Sequence, residues 1–387
     1  MSVFDSLVGQ SEAVATIKKA VSAAQNRSVN QDMTHAWLFT GPPGSGRSNL
    51  AKAFAAALVC KSGGCGQCNA CVTAGAGSHP DVEILDVSGL SIKIDEIREI
   101  VSRSAWGAAT SDWRVVVIED CDRMTEAAAN ALLKALEEPG AQTIWLLCAP
   151  TLHDVLPTIR SRCRHIALKT PTTSEIYDYL VKELGADTEA ARLAASISQG
   201  HIGKARAAIQ SREFQSWRSK ALQIFLRIKS EASAIRAAGE LIALAEERAE
   251  LRLQQGNEKE ESELRAALSS GTRGLVSGGA KALKDLEKDQ KARLNRTIRD
   301  ELDNSLIDYA SFLRDVLAAD DEIINLDLAN EIREFRGRFS PERSTRLALR
   351  LQEIRELLAT NASQTLLLES FFTEVAVAGR GNQHTFG

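Results

Sequence analysis

A parallel α/β domain followed by all-helical domains is the fold class that three features of this sequence predict. Short apolar runs at 36–40, 82–87, 115–118 and 144–148 alternate with helical patterns such as 12–24 and 126–138. Strands buried on both faces and joined by helical crossovers read this way. The eight prolines stand at 42, 43, 80, 139, 150, 157, 171 and 341, so 172–340 is proline-free and can be almost continuously helical. Late in the chain, Ile298, Leu302, Leu306, Tyr309, Phe312, Leu313 and Val316 recur at three- and four-residue steps, as do Leu347, Leu351, Ile354 and Leu358.

Taken in order, 1–171 is the α/β domain. Thr172-Thr173-Ser174-Glu175 follows Pro171 and starts a new helix, because a Ser/Thr with Glu three residues later caps an N-terminus. A small helical domain is expected over 172–212 and a third, all-helical domain over 213–378. Within the latter, 246–265 and 281–299 are dense in mixed charge and separated by Ser- and Gly-rich stretches. They predict a solvated helical hairpin, 246–299, with a flexible tip. A disordered tail is expected over 379–387, and no internal repeat is evident.

The 387 residues suffice for two or three domains at roughly 150 residues each. A net charge of −4 argues against a chain that holds nucleic acid through bulk positive charge. With 44% hydrophobic and 25% charged residues, wholesale disorder is excluded. No run of about 18 uncharged apolar residues occurs, and MSVFDSLVGQ lacks the build of a secretory signal, so a cytoplasmic protein is expected. Seven cysteines are too few for a disulfide scaffold.

The chemistry concentrates in the first domain. The apolar run 36–40 leads into Gly41-Pro42-Pro43-Gly44-Ser45-Gly46-Arg47-Ser48 and then a helix, 49–59. A glycine-rich turn between strand and helix lets backbone N–H groups converge on phosphate, so this is a P-loop in context. Arg47 stands where a P-loop has lysine, and its planar fork cannot copy a compact ammonium. Ser48 keeps the hydroxyl that would ligate Mg²⁺. The alternative is a loop that keeps an ancestral shape without ligand. Val115-Val116-Val117-Ile118 ends in Glu119-Asp120, the shape of a Walker B element with its two acids in inverted order. The alternative there is two solvated carboxylates. Asp120 is one methylene shorter than a Glu base, and a misplacement of about 1 Å can cost about 10²-fold in rate.

Cys60, Cys65, Cys68 and Cys71 lie on a glycine-containing loop after the P-loop helix. The tight spacing suits a closed, structural zinc site with four thiolates in a tetrahedron. Thiol redox chemistry and chance clustering are the rival readings. Cys121, Cys148 and Cys163 sit in apolar contexts and read as buried small hydrophobes. Ser161-Arg162-Cys163 follows a strand and a helix-like segment, 154–160; taken alone, Arg162 reads as a solvated side chain.

Val8-Gly9-Gln10, the P-loop, the four cysteines followed by His79-Pro80-Asp81, the 130–139 segment NALLKALEEP, and Ser161-Arg162-Cys163 occur in that order. The succession resembles the clamp-loader branch of the AAA+ ATPases, most narrowly the delta-prime family of bacterial DNA polymerase III. It covers about the first 210 residues. The later helices fit the family's collar domain in length and character but carry no signature, and the family's first cysteine spacer is often longer than the four residues here.

The resemblance implies a RecA-like AAA+ domain, a helical lid and a collar that joins five subunits in a ring with gamma/tau motor and delta subunits. It implies that Val8, Gly9 and Gln10 line an adenine pocket. Gly41, Gly44, Ser45, Gly46, Arg47 and Ser48 would meet phosphates, with Glu119 and Asp120 at Mg²⁺. Arg162 would act in trans as an arginine finger on a neighbour's ATP, an effect that can be worth 10³–10⁵ in rate. The ring would load a sliding clamp on primer–template DNA, with no membrane partner. The motor subunits of this family keep a P-loop lysine, an Asp-Glu pair and a lid arginine. Here those positions hold Arg47, Glu119-Asp120 and Gly203, with Lys204 beside it. The departures imply a stator that turns over little or no ATP and carries no polymerase site. An active gamma/tau-like motor is the alternative, and a nucleotide sensor without turnover is a third reading.

Overall fold

The computed structural model describes residues 2–25, 32–85, 91–140, 142–269, 279–358, 360 and 362–380. They fall into two compact units, Met1–Arg206 and Ala207–Gly387.

The first unit is built on five parallel strands, β1 (Ala36–Thr40), β2 (Val82–Leu85), β3 (Arg114–Ile118), β4 (Thr143–Ala149) and β5 (Arg164–Ala167), in the order β2-β3-β4-β1-β5. Central strands β1 and β4 are buried along their whole length, which explains their unbroken apolar sequence. Alternate residues serve opposite faces. Trp37, Phe39, Val115, Val117, Leu146 and Cys148 pack on the helices Ser11–Gln25 and Arg47–Val59, with Trp37 edge-on to Phe54 at 5.3 Å. Leu38, Val116, Ile118, Trp145 and Leu147 pack on Ile94–Ser104 and Glu126–Glu137. The parallel sheet with helices on both faces, followed by helical elements, is the α/β-then-helical arrangement the sequence predicts.

The differences from the sequence reading are local. β5 went unforeseen because it is an edge strand whose residues are exposed or half-buried, leaving little apolar signal. The 154–160 helix is a single turn, Pro157–Arg160, since proline holds Leu156 extended and admits a helix only from its own position. Arg47 belongs to the P-loop helix, two residues earlier than expected. Helix Thr173–Leu184 begins at the expected place: Thr172 Oγ1 accepts from Glu175 N, and Glu175 Oε2 accepts from Thr172 N at 2.8 Å. Helices Thr188–Ile197 and Ile202–Gln210 follow.

The second unit is helical. Phe225 is its hub, stacked on Tyr309 at 4.6 Å and within 6.3 Å of Phe312, Phe335 and Phe371. Buried Tyr309 donates to Ala221 O at 2.7 Å, so its hydroxyl is satisfied. Asp315, fully buried, accepts from Ile324 N, Asn325 N and Asn325 Nδ2, which fixes the chain after the long helix Gly279–Leu317. That helix and Glu231–Ser269, 39 residues each, form the expected charged hairpin; its tip at 270–278 lies outside the described residues. The disordered tail needs correction: Gly379 and Arg380 complete the helix Gln364–Arg380, with Gly379 buried, and 381–387 lie outside the described residues.

Candidate functional site

The P-loop leaves the C-terminal end of β1, where Gly41 N donates to Pro150 O at 3.1 Å. Gly44 and Gly46 adopt left-handed backbone, φ 84° and 93°, which side chains rarely tolerate. Helix Arg47–Val59 starts at Gly46 without a side-chain cap, so the first-turn N–H groups are left to a ligand or to solvent. Ser45 is buried, and its Oγ and the Arg47 Nη1 have no hydrogen-bond partner among the described residues. Both atoms are suited to an anion at the loop.

The two acids at the end of β3 are already met by cations of the chain itself. Lys52, one turn into the P-loop helix, places Nζ 2.8 Å from Glu119 Oε1. Arg47 Nη2 lies 4.0 Å from Asp120 Oδ1, and Arg123 Nε lies 3.7 Å from Asp120 Oδ2. Asp120 reaches this position through a left-handed backbone, φ 50°, that ends the strand. Lys52 was not singled out in the sequence. Its spacing from Arg47 is a weak signal, and the pairing needs the helix–strand packing.

Gln10 is buried and ties the loop's underside. Its Nε2 donates to Ser45 O and, at 2.7 Å, to Lys169 O, while Oε1 accepts from Lys169 N. Gly9, φ 72°, lies against Pro171, with Val8 half-buried beside it. On the other side, His201 covers Gly44 so closely that a Cβ there would stand 2.4 Å from His201 Cγ. Burial, and then the Lys204 charge, pull the His201 pKa down to about 4. A Cβ on Gly203 would also meet the same ring, at 3.0 Å from Cε1. The segment 200–205 stood out for its missing arginine, but the role of His201 over the loop went unforeseen.

The four cysteines converge. Their sulfurs lie within 4.8 Å of one another, with Cys60–Cys65 at 3.8 Å and Cys60–Cys68 at 3.6 Å. Zn–S bonds of about 2.3 Å in a tetrahedron require sulfur–sulfur edges of about 3.8 Å, so the residues fit such an ion. Helix Asn69–Gly75 starts at Cys68, whose sulfur accepts from Cys71 N. Burial raises the Cys60 pKa, but N–H groups of Cys65, Gly64 and Ser62 outweigh it and bring the thiol to about 6. Burial pushes Cys71 up. Beside the module, Asp81 is fully buried and accepts from Ala109 N, Thr110 N and Oγ1, and Ser111 N and Oγ. Burial alone would raise its pKa; these five donors hold it well below the usual carboxylate range. This is a bracing role for the His79-Pro80-Asp81 segment.

Arg162 stands between the turn Pro157–Arg160 and β5, half-exposed. Nη1 donates to Thr158 O at 2.8 Å and Nη2 pairs with Glu137. Cys121 and Cys148 are buried, as expected. Cys163 is only half-buried, a correction that follows from its place at the open edge beside β5.

Residues 16–172 match the family described as DNA polymerase III, delta subunit. The delta' subunit of DNA polymerase III from Pseudomonas aeruginosa is 38% identical over 156 residues, covering 39% of this chain and 48% of that protein. That of Haemophilus influenzae is 35% identical over 170 residues, covering 43% and 52%. Subunit tau of Bacillus subtilis is 32% identical over 188 residues, covering 48% and 32%. The chain thus spans about half the length of these delta' relatives. Over residues 16–172, where the P-loop, the four cysteines and Arg162 all lie, this chain is therefore similar to the delta' subunits of DNA polymerase III.

Proposed function

We propose that the chain acts as a stator subunit of a DNA polymerase III clamp loader. It completes a pentameric ring with gamma/tau motor and delta subunits, supplies Arg162 in trans to a neighbour's ATP, and helps load the sliding clamp on primer–template DNA in the cytoplasm. In this reading 1–171 is the AAA+ domain, 172–212 the lid and 213–378 the collar. The four cysteines hold a structural Zn²⁺. One observation carries the reading: both Walker B acids are paired with cations of the chain, Lys52 on Glu119 and Arg47 near Asp120, while Arg162 is half-exposed. A site whose carboxylates are already neutralised has less charge to offer Mg²⁺, and Gly203 offers no lid arginine. Nucleotide, if it enters, would meet the Ser45 hydroxyl, the Arg47 guanidinium and the N–H groups of the first helical turn, with Val8, Gly9 and Gln10 beside the base. Little turnover is expected from that set. A guanidinium at Arg162 has the charge and the planar fork that a developing γ-phosphate charge requires.

The test is steady-state ATP hydrolysis by the chain alone and by the assembled loader carrying Arg162 or Arg162→Ala. A silent chain, and an assembly slowed at least tenfold by Arg162→Ala, are the expected results. Turnover by the isolated chain that Arg47→Ala abolishes would replace this reading with an active motor, the alternative that similarity to tau favours.

A further inference from the structure

The two arms of the charged hairpin differ in sign. Residues 246–265 carry seven Glu against four Arg or Lys, whereas 281–299 carry seven Lys or Arg against three acids. Some of this difference is used between the arms, where Arg293 pairs with Glu260 at 2.9 Å and Gln290 donates to Asn257 O; in the opposite sense, Arg248 and Arg252 of the acidic arm converge on buried Glu301. Four lysines are not used this way. Lys281, Lys284, Lys288 and Lys291 are all exposed, and none pairs with another described residue. Their 3-4-3 spacing puts them within about 80° of arc on one face, and Asp285, Glu287 and Asp289 fall outside that arc. The half-buried residues Leu283, Leu286, Gln290 and Leu294 mark the opposite side, toward the other arm.

We propose that this lysine face of the hairpin binds the phosphate backbone of nucleic acid. The stripe is about 15 Å long at 1.5 Å per residue. Over that length one strand of duplex DNA presents about four phosphates, one per 3.4 Å, which matches the four ammonium groups in number. A protein partner fits the face less well. No exposed large hydrophobic residue lies between 279 and 300, so the apolar anchors that give a protein interface its energy are missing. The recognition would be sequence-independent, because lysines on a convex helix touch phosphates and not base edges. The net charge of −4 does not oppose it, since a charge stripe acts within a Debye length of about 8–10 Å. The inference does not depend on nucleotide turnover, on Arg162 or on ring assembly.

The experiment measures fluorescence anisotropy of a short labelled DNA duplex with the full chain across a salt series. Three proteins are compared: the natural chain, a variant with Lys281, Lys284, Lys288 and Lys291→Gln, and one with all four →Arg. Exposed Gln and Arg are both good helix formers, and unchanged helical circular dichroism checks the fold. The slope of log affinity against log salt should shrink in magnitude by about 3–4 in the Gln variant and persist in the Arg variant. Equal slopes for the natural chain and the Gln variant would overturn the proposal. So would loss of polyglutamate binding without loss of DNA binding, which would assign the face to an acidic protein. Failure of the isolated chain to hydrolyse ATP, or of Arg162→Ala to affect a loader, bears on the function proposed above and leaves this result untouched.

Discussion

Acid should loosen the first unit through His201. Its ring sits over Gly44 of the P-loop, and burial together with Lys204 holds its pKa near 4, against 6.5 ordinarily. The folded chain therefore refuses a proton that the unfolded chain accepts. The contribution of the neutral ring is fully present above about pH 6.5, falls as pH drops from there, and stops falling below the folded value near 4. Between about pH 7.5 and about pH 5 the difference amounts to at most about 2 kcal/mol, at 1.36 kcal/mol per unit, and to about 1–2 kcal/mol once partial solvent contact is allowed for. Urea unfolding of the natural chain and of His201→Gln at both pH values isolates this contribution. His79 and His165, which burial also pulls down, act in the same direction in both proteins, as does any acid-driven loss of metal, so they cancel. The natural chain should lose about 1–2 kcal/mol more than the variant on acidification. Parallel losses would show that the ring leaves the P-loop too readily for its protonation to matter.

Asp81→Ala removes the acceptor of five donors from 109–111 and should cost about 3 kcal/mol in urea unfolding of the first unit. A loss below about 1 kcal/mol would mean that water serves those donors equally well. Since its folded pKa is depressed, the Asp81 contribution should be fully present above its ordinary pKa near 4 and be lost progressively as pH falls below that value toward the folded one. A strong chelator should release one zinc per chain, read with a metal-sensitive dye, and open 59–72 to protease while the second unit keeps its helical signal. A metal-free chain whose loop stays protease-resistant would contradict a structural ion.

Much of the first unit was legible because its chemistry is local. A P-loop is written in consecutive residues, the buried strands 36–40 and 144–148 in unbroken apolar runs, and the thiol cluster in four cysteines within twelve positions. β5 was not legible, since an edge strand with half its surface in water has no apolar signature. The stop at Leu156 was readable from Pro157 and was overrun by the helical look of 154–160.

By itself, the sequence determined the strand–helix alternation, the glycines that allow a P-loop, the helix cap at Thr172 and the close spacing of the four cysteines. Each depends on backbone preference or on side chains a few positions apart. Only the tertiary structure decided which charges meet. Lys52 on Glu119 joins a helix to a strand 67 positions away, and His201 on Gly44 joins a helix start to a loop 157 positions away. Arg162 on Glu137 and the five donors on Asp81 are likewise set by packing. Pairings of that range have no period to read, because they follow from how helices cover a sheet and not from how a chain turns.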